Sequence, residues 1–537
     1  MAENSVRPDA HTQKYDRQLR LWAATGQRAL ETTSILVVNA TATAASTLKN
    51  LVLPGIGQFA LLDPKIVDSS DIGNNFFLQQ SSLGKPRAQE VTRLLLELNS
   101  DVKGTALVQD IDSMIREPQL LASYTLIIAV DTTPSETLSL SQIAWQSGIP
   151  FVQVKTCGFF ALLRAQYPEI TLVETHPESL VDLRLSAPFP ELVDFAASFD
   201  YSTMDSNAHG HVPAVVVILK ALDAWKASHA QSLPTTLKER NEFMSTITRG
   251  KRSPDDENFD EALSLYRRAG SKPPVPSEIV ALFNDPSSEV NASSTNFWLL
   301  VNALKQFVNH PSIGGLLPLS GALPDMKAES TGYVALQKVY KSKARSDIDL
   351  FTSLLQSTMA SVGADLTRIS AEEIETFTKH AAYLKVMRGR SIVQEQQECL
   401  LAGKLAELYE ASSWNSVRDD TVDIYLGFRA SDIFYEKNKR YPGTLSTDGD
   451  GEHDVPELAA IVEQLVVSLG ESSAREELLD VVKEICRSGA SDLPQIAALV
   501  GGIVGQEVIK LITSQYIPLN GTCIFNGITS TSGIVVG

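Results

Sequence analysis

Cysteine is scarce in this chain, with four residues in 537, at positions 157, 399, 486 and 523, and no C-x-x-C pair among them. So few thiols at such scattered spacing exclude a disulfide framework and offer no zinc-site spacing. Positive charge is short as well. Lysine and arginine total 46 against 64 acidic residues, a net charge of −18, and a chain without clustered cations is a poor partner for a nucleic-acid backbone. Residues 1–13 hold no apolar segment of the signal-peptide type. The most apolar late stretch, residues 493–512, carries Gln495, Gln506, Glu507 and Lys510, so a buried helix is expected there rather than a membrane span. No fixed-period repeat or low-complexity tract is present. The expectation is a soluble intracellular protein with reduced thiols, and 43% hydrophobic content gives material for more than one core.

The most telling absence is glycine at one turn. Residues 34–79 have the outline of a nucleotide-binding βαβ unit: an apolar strand at 35–38, a small-residue turn, a helix over about 43–53, the breaker Pro54-Gly55-Ile56-Gly57, and a second strand at 59–62 that ends on Asp63. An acidic residue about 20 positions past the loop is placed to bond a ribose hydroxyl, and Asp63 lies 24 positions after Asn39. A phosphate loop needs glycine so that backbone N–H groups approach the phosphates without a Cβ in the way. Here the turn reads Asn39-Ala40-Thr41-Ala42-Thr43-Ala44-Ala45, with no glycine. The layout is kept while the loop chemistry is lost.

Around this unit the pattern alternates. Residues 14–22, KYDRQLRLW, have helical spacing; a helix is predicted over about 85–98, and strands at 105–109 and 126–130, the latter closing on Asp131. A helix over about 135–146 and strands at 151–154 and 159–166 follow. These lengths predict an α/β fold of Rossmann-like, doubly wound type with a mostly parallel sheet. From 169 to 485 strand runs nearly vanish and helical stripes dominate, as at Tyr333, Leu336, Val339 and Tyr340 and again at Leu350, Phe351, Leu354 and Leu355. The α/β pattern resumes with the helix of residues 494–512, whose Gly501, Gly502 and Gly505 suit close packing, and with strands near 520–527 and 534–536. The expected organisation is one α/β domain, residues 1–168 and 486–537, interrupted by an all-helical insertion, residues 169–485.

Four stretches carry a family resemblance: KYDRQLRLW, the βαβ unit, Gly84-Lys85-Pro86-Arg87-Ala88, and GGIVGQEVIK at 501–510. Together they resemble the adenylation (ThiF/MoeB-like) fold of the activating enzymes for ubiquitin and ubiquitin-like modifiers. The glycine-free loop, the segment DIGNNFFLQ and the long helical insert are similar to the non-catalytic subunits of the neddylation branch. That resemblance implies a heterodimer with the catalytic subunit of a neddylation activating enzyme, a Nedd-type modifier as the protein handled, cytoplasmic and nuclear localisation, and ATP and Mg²⁺ bound at the partner. No cofactor or metal is expected on this chain. Alternatives are a sumoylation counterpart, whose non-catalytic subunit lacks so long an insert, or an autonomous nucleotide-dependent adenylyltransferase or dehydrogenase, against which the glycine-free loop argues.

The resemblance also assigns positions. Active members have a glycine-rich loop where this chain has Asn39, Thr41, Ala42 and Ala44, a second acidic residue where it has Lys65, and a catalytic arginine where it has Asn74. Asp63 is kept, and Asp131 falls where active members place a magnesium-associated aspartate, followed here by Thr132 instead of asparagine. None of the four cysteines has the family's Pro/Thr-flanked thioester motif. No catalytic residue is therefore expected in this chain for its own reaction. Arg17 matches an N-terminal arginine that this fold can project onto the ATP of the other half of a dimer, with Arg20 a weaker second; the plainer reading is an exposed helix charge or a local salt bridge. For Asp63 and Asp131 the plainer reading is a strand-end aspartate capping the following helix, and for the cysteines a buried structural thiol. His209 and His211, in NAHGHVP, are expected in a loop that leads into a helix, because no further ligand has fitting spacing for a metal.

Overall fold

The computed structural model describes residues 9–176, 181–269, 275–394, 403–413, 420–444 and 451–535. The chain divides into two compact units, the first made of residues 1–172 and 386–537, the second of residues 173–385. The helical unit is therefore shorter than the expected 169–485. The segments Thr421–Asn438, Val455–Ser468 and Glu476–Ser488 are helical as read, but they pack with the α/β unit.

In the first unit an N-terminal arm, α1 (Ala10–Lys14) and α2 (Asp16–Glu31), leads into β1 (Ser34–Val38), α3 (Ala42–Val52) and β2 (Gln58–Leu62). There follow α4 (Ser69–Asn74), α5 (Arg87–Leu96), β3 (Lys103–Leu107), β4 (Leu126–Val130), α6 (Pro134–Gln146), β5 (Phe151–Cys157), β6 (Phe160–Gln166) and β7 (Ile170–Leu172). After β8 (Lys385–Met387), which pairs with β7, come α7 (Thr421–Asn438), α8 (Val455–Ser468), α9 (Glu476–Ser488), α10 (Pro494–Thr513), β9 (Gly521–Asn526) and β10 (Thr531–Val535). The main sheet runs β10-β9-β6-β5-β4-β1-β2-β3. Its β3-β2-β1-β4-β5 part is parallel and the rest antiparallel, so the expected parallel sheet is extended on one side by an antiparallel part. β1 lies between β2 and β4, the switch point at which such sheets open a crevice beyond the carboxyl ends of the strands.

The sequence explains the layering. Every residue of β1 and β4 is buried, as expected of apolar strands covered on both faces, each Val, Leu or Ile contributing about 1.5–3 kcal/mol by burial. On one face Ile35, Val37, Leu48, Val52, Val500 and Val504 share a core; on the other Leu36, Val38, Ile127, Leu140 and Phe151 do. Helix α10 lies directly on α3. A Cβ on Gly501 would meet Ser46 Cβ at 2.6 Å and Thr47 N at 2.8 Å, and one on Gly505 would meet Asn50 Cβ at 2.9 Å, whereas Gly502 faces open space. Two of the three glycines make the close packing, and the third does not. Helices α7, α8 and α9 form a further layer, in which Phe428, Phe434, Val462 and Val482 pack with Phe160, Leu162 and Ile524 of the antiparallel strands.

The second unit is helical. Residues 330–362 form one 33-residue helix, which unites the two stripes at Tyr333 and Leu350. Its Leu336 and Tyr340 pack with Val215, Ile218 and Leu222 of the helix Ala214–Ser228, and the Tyr340 hydroxyl donates to the Leu183 carbonyl at 2.6 Å.

Candidate nucleotide site

Asn39 follows β1, Asp63 follows β2 and Asp131 follows β4, so the parallel strands bring all three to one edge of the sheet. That is the edge at which this architecture binds a nucleotide. What the residues do there differs from nucleotide binding at each position.

The N-terminus of α3 is where a phosphate would sit, because its first N–H groups have no partner inside the helix. Thr41 caps it, its hydroxyl accepting from Ala44 N at 3.2 Å. The remaining donors are taken by a carboxylate from the far end of the sequence. Asp492 accepts from Thr43 N at 3.2 Å and from the Thr43 hydroxyl at 2.9 Å, and Ala42 N and the Thr41 side chain also face it. Asp492 stands just before α10, whose packing on α3 brings it there. An internal anion thus occupies the position of an external one, and Ala42 and Ala44, 6% and 0% exposed, close the turn with methyl groups.

The second strand end is equally committed. Asp63 is 0% exposed. It accepts from Ala40 N at 2.7 Å, from Lys65 N at 2.8 Å and from Arg87 Nε at 2.7 Å, with a second Arg87 nitrogen at 2.6 Å. Arg87 also reaches Asp71 at 2.9 Å. A carboxylate that is 0% exposed and enclosed by three backbone and guanidinium partners is not presented to a ribose. The Lys65 side chain is exposed and Asn74 ends α4, half-buried.

Asn39 has a left-handed backbone, φ +68°, a conformation that asparagine tolerates better than most residues. Its amide donates to the carbonyls of Val130 and Asp131 at 2.8 and 3.3 Å, tying β1 to β4 across the switch point. Asp131, φ +49°, accepts from Thr156 N at 2.7 Å and from the Thr156 hydroxyl at 3.0 Å. The buried Thr132 hydroxyl pairs with that of Thr137 at 2.7 Å. Neither Asp63 nor Asp131 caps a helix, contrary to the plainer expectation, because α4 is capped by Asp68 and α6 by Thr133.

Electrostatics complete the closure. Burial, then the charge of Asp492, pushes the Asp131 carboxyl above the ordinary carboxylate range, and burial does the same to Asp492. Asp492, hydrogen-bonded at the N-terminus of α3, fills the phosphate position with a protein carboxyl. The cavity beside them, about 40 Å³, is lined by Asp131, Lys155, Thr156, Cys157, Asp432 and Tyr441, with Lys155 engaged by Asp432. It has room for a water or two. The N–H groups that the phosphates of ATP would need face the Asp492 carboxyl, and the Asp63 and Asp131 carboxyls that a ribose or Mg²⁺ would need are themselves bonded to protein donors, so these residues do not fit that ligand.

Elsewhere, burial pushes the Cys157 and Cys486 thiols up to about 12, Cys523 is half-buried, and Cys399 lies outside the described residues. His209 is in a short helix, Ser206–Gly210, rather than in a loop. It is 2% exposed and faces Asp256 at 3.2 Å, while His211 bonds the Asn207 carbonyl at 2.7 Å. No group of three or more metal-ligating side chains is assembled among the described residues.

The arginines of the arm part company. Arg20 pairs with Asp16 at 3.0 Å. Arg17 is exposed and makes no ion pair or hydrogen bond among the described residues. Asp492 and Arg87 were not singled out from sequence: Arg87 stands in the noted Gly84–Ala88 motif, but a lone aspartate 449 positions from its partner Thr43 leaves no local signal.

The ThiF family matches residues 15–533. The chain is 36% identical over 529 residues to the NEDD8-activating enzyme E1 regulatory subunit of Xenopus laevis, covering 97% of each. It is 35% identical over 526 residues to that of Drosophila melanogaster, covering 97% of this chain and 96% of the relative. For Saccharomyces cerevisiae the identity is 25% over 539 residues, covering 97% and 99%.

Proposed function

The chain belongs to the ThiF family and, within it, to the NEDD8-activating enzyme E1 regulatory subunits, and from that premise we propose that it is the half of the heterodimer that performs no adenylation itself. The observation that carries this is the Asp492 carboxylate on the N-terminus of α3, with Asp131 beside it. ATP and Mg²⁺ bind at the catalytic subunit, which joins the modifier's C-terminal carboxylate to AMP and passes the acyl group to its own cysteine. This chain supplies a matching α/β unit for that partner, and its helical unit contributes to holding the Nedd-type modifier. It works in the cytoplasm and the nucleus, as the family resemblance implies. Arg17 is its one direct contribution to the chemistry: it reaches the partner's ATP and stabilises charge developing on the phosphoryl oxygens.

ATP-dependent thioester formation on the modifier tests this, with each subunit alone and with the two mixed. The expected result is reaction only in the mixture, retained when Cys157, Cys399, Cys486 and Cys523 are all replaced by serine. Adenylate or thioester formed by this chain alone overturns the reading in favour of an autonomous adenylyltransferase.

A further inference from the structure

The arm that carries Arg17 is bent where it should not bend. Helix α2 breaks at Trp22, φ −126° and ψ 19°, and at Ala23, φ +57° and ψ −178°. That last pair of angles is populated almost solely by glycine, and a residue with a Cβ persists there only when its surroundings over-determine it. The surroundings do so. Trp22 is 8% exposed and its indole N–H donates to Gln27 at 3.1 Å. A Cβ on Gly26 would meet Trp22 Cβ at 2.9 Å and Cδ1 at 3.0 Å, so the Trp22 side chain takes the space left by a position without one. The Trp22 carbonyl, at the break, accepts from Gln515 Nε2 at 3.0 Å, and Gln515 is 4% exposed just beyond α10.

The other end of the arm is also fixed. Tyr15, 2% exposed, accepts from Asn99 Nδ2 at 3.1 Å and donates to Asp101 at 3.3 Å, and the space it fills exists because Gly55 has no Cβ. Lys14 binds Asn99 at 2.6 Å and Asp101 at 2.5 Å. Between these anchors residues 16–21 form an outward-facing turn and a half of helix, with Arg17 at its start unpaired among the described residues.

We propose that the bend at Trp22–Ala23, clasped by Gln515, is a positioning element that sets the direction in which Arg17 leaves the fold, so that Trp22, Ala23 and Gln515 act on the partner's reaction through Arg17. The inference rests on the reading of Arg17 given above. Its physical basis is that a charge stabilises a transition state only from a fixed place, and a misplacement of about 1 Å can cost about a hundredfold in rate. A straight α2 would swing the arm away from its Tyr15 socket. The strained residue keeps the two anchors compatible.

The test uses the reconstituted heterodimer and ATP–pyrophosphate exchange, with kcat and KM for ATP measured separately and thermal unfolding followed in parallel. Glycine at position 23 adopts the observed angles without strain and also opens others, so Ala23→Gly is expected to keep or raise the unfolding temperature while lowering kcat roughly threefold or more. Gln515→Ala is expected to lower kcat in the same direction. Arg17→Ala is expected to lower kcat roughly tenfold or more, with partial rescue by Arg17→Lys. In the Arg17→Ala background Ala23→Gly is expected to add nothing, the signature of one residue acting through another. Full kcat in Ala23→Gly beside an impaired Arg17→Ala overturns the positioning inference, and so does an equal loss from Ala23→Gly in both backgrounds. Full kcat in Arg17→Ala overturns the Arg17 reading itself, and the positioning inference with it.

Discussion

The carboxyl edge of the sheet and the N-terminal arm make opposite use of charge. At the sheet edge the charged groups are answered within the chain: Asp63 by Arg87, the α3 N-terminus by Asp492, Asp131 by Thr156. On the arm, anchored at Tyr15 and Trp22, Arg17 is exposed and left unanswered among the described residues. A group that has found its partner inside the fold has nothing left for a ligand. A group held in place without one is available to another molecule. The difference separates a crevice whose polar groups are spent within the fold from an arm whose charge is left at the surface.

The contrast is open to direct attack, and the largest effect is expected at the crevice. Arg87→Ala leaves Asp63 buried and unpaired, and should destabilise the chain by about 3–5 kcal/mol in a denaturant titration; a loss below about 1 kcal/mol would mean that Asp63 is not held as described. On the arm, Arg17→Ala should leave that titration unchanged, within about 0.5 kcal/mol, while lowering adenylation by the heterodimer. Between α3 and α10, Gly501→Ala should cost about 1–3 kcal/mol by pushing the helices apart, and Gly502→Ala should be neutral or gain up to about 1 kcal/mol through helix propensity.

The smallest effect concerns the paired carboxyls. Asp131 and Asp492 have raised pKa values in the fold, so above the ordinary carboxylate range, near 4, the folded state holds more protons than the unfolded one. Their contribution is therefore lost as pH rises toward neutrality. Asp131→Asn removes that penalty while still accepting from Thr156 N, and should raise the unfolding temperature by about 1–2 °C near pH 7.5. The gain should shrink toward zero as pH falls to about 4. A gain that grows on acidification would contradict the assignment.

Much of this was legible in the sequence, for local reasons. The strands and the longer helices from 34 to 166 came within a few residues, because continuous apolar runs and the Pro54–Gly57 break have few other solutions, while the short helices Ser69–Asn74, Ile111–Ile115 and Pro118–Leu121 were not read. The glycine-free turn announced a changed loop. Three features were not legible. The helices of residues 421–488 read as part of the insertion, because a stripe shows that a helix buries one face and not which core receives it. The bend at Ala23 falls inside a helical pattern with no proline or glycine at the break itself. Asp492 had no local signal, since its meaning depends on α10 docking against α3 through Gly501 and Gly505.

The most direct test of the central claim is calorimetric titration of the isolated chain with Mg·ATP at millimolar concentration, beside the heterodimer under the same conditions. The account expects no saturable binding by the isolated chain and one site per heterodimer. Saturable binding by the isolated chain, abolished by Asp63→Ala, would contradict it, because the crevice at β1, β2 and β4 would then be a working nucleotide site.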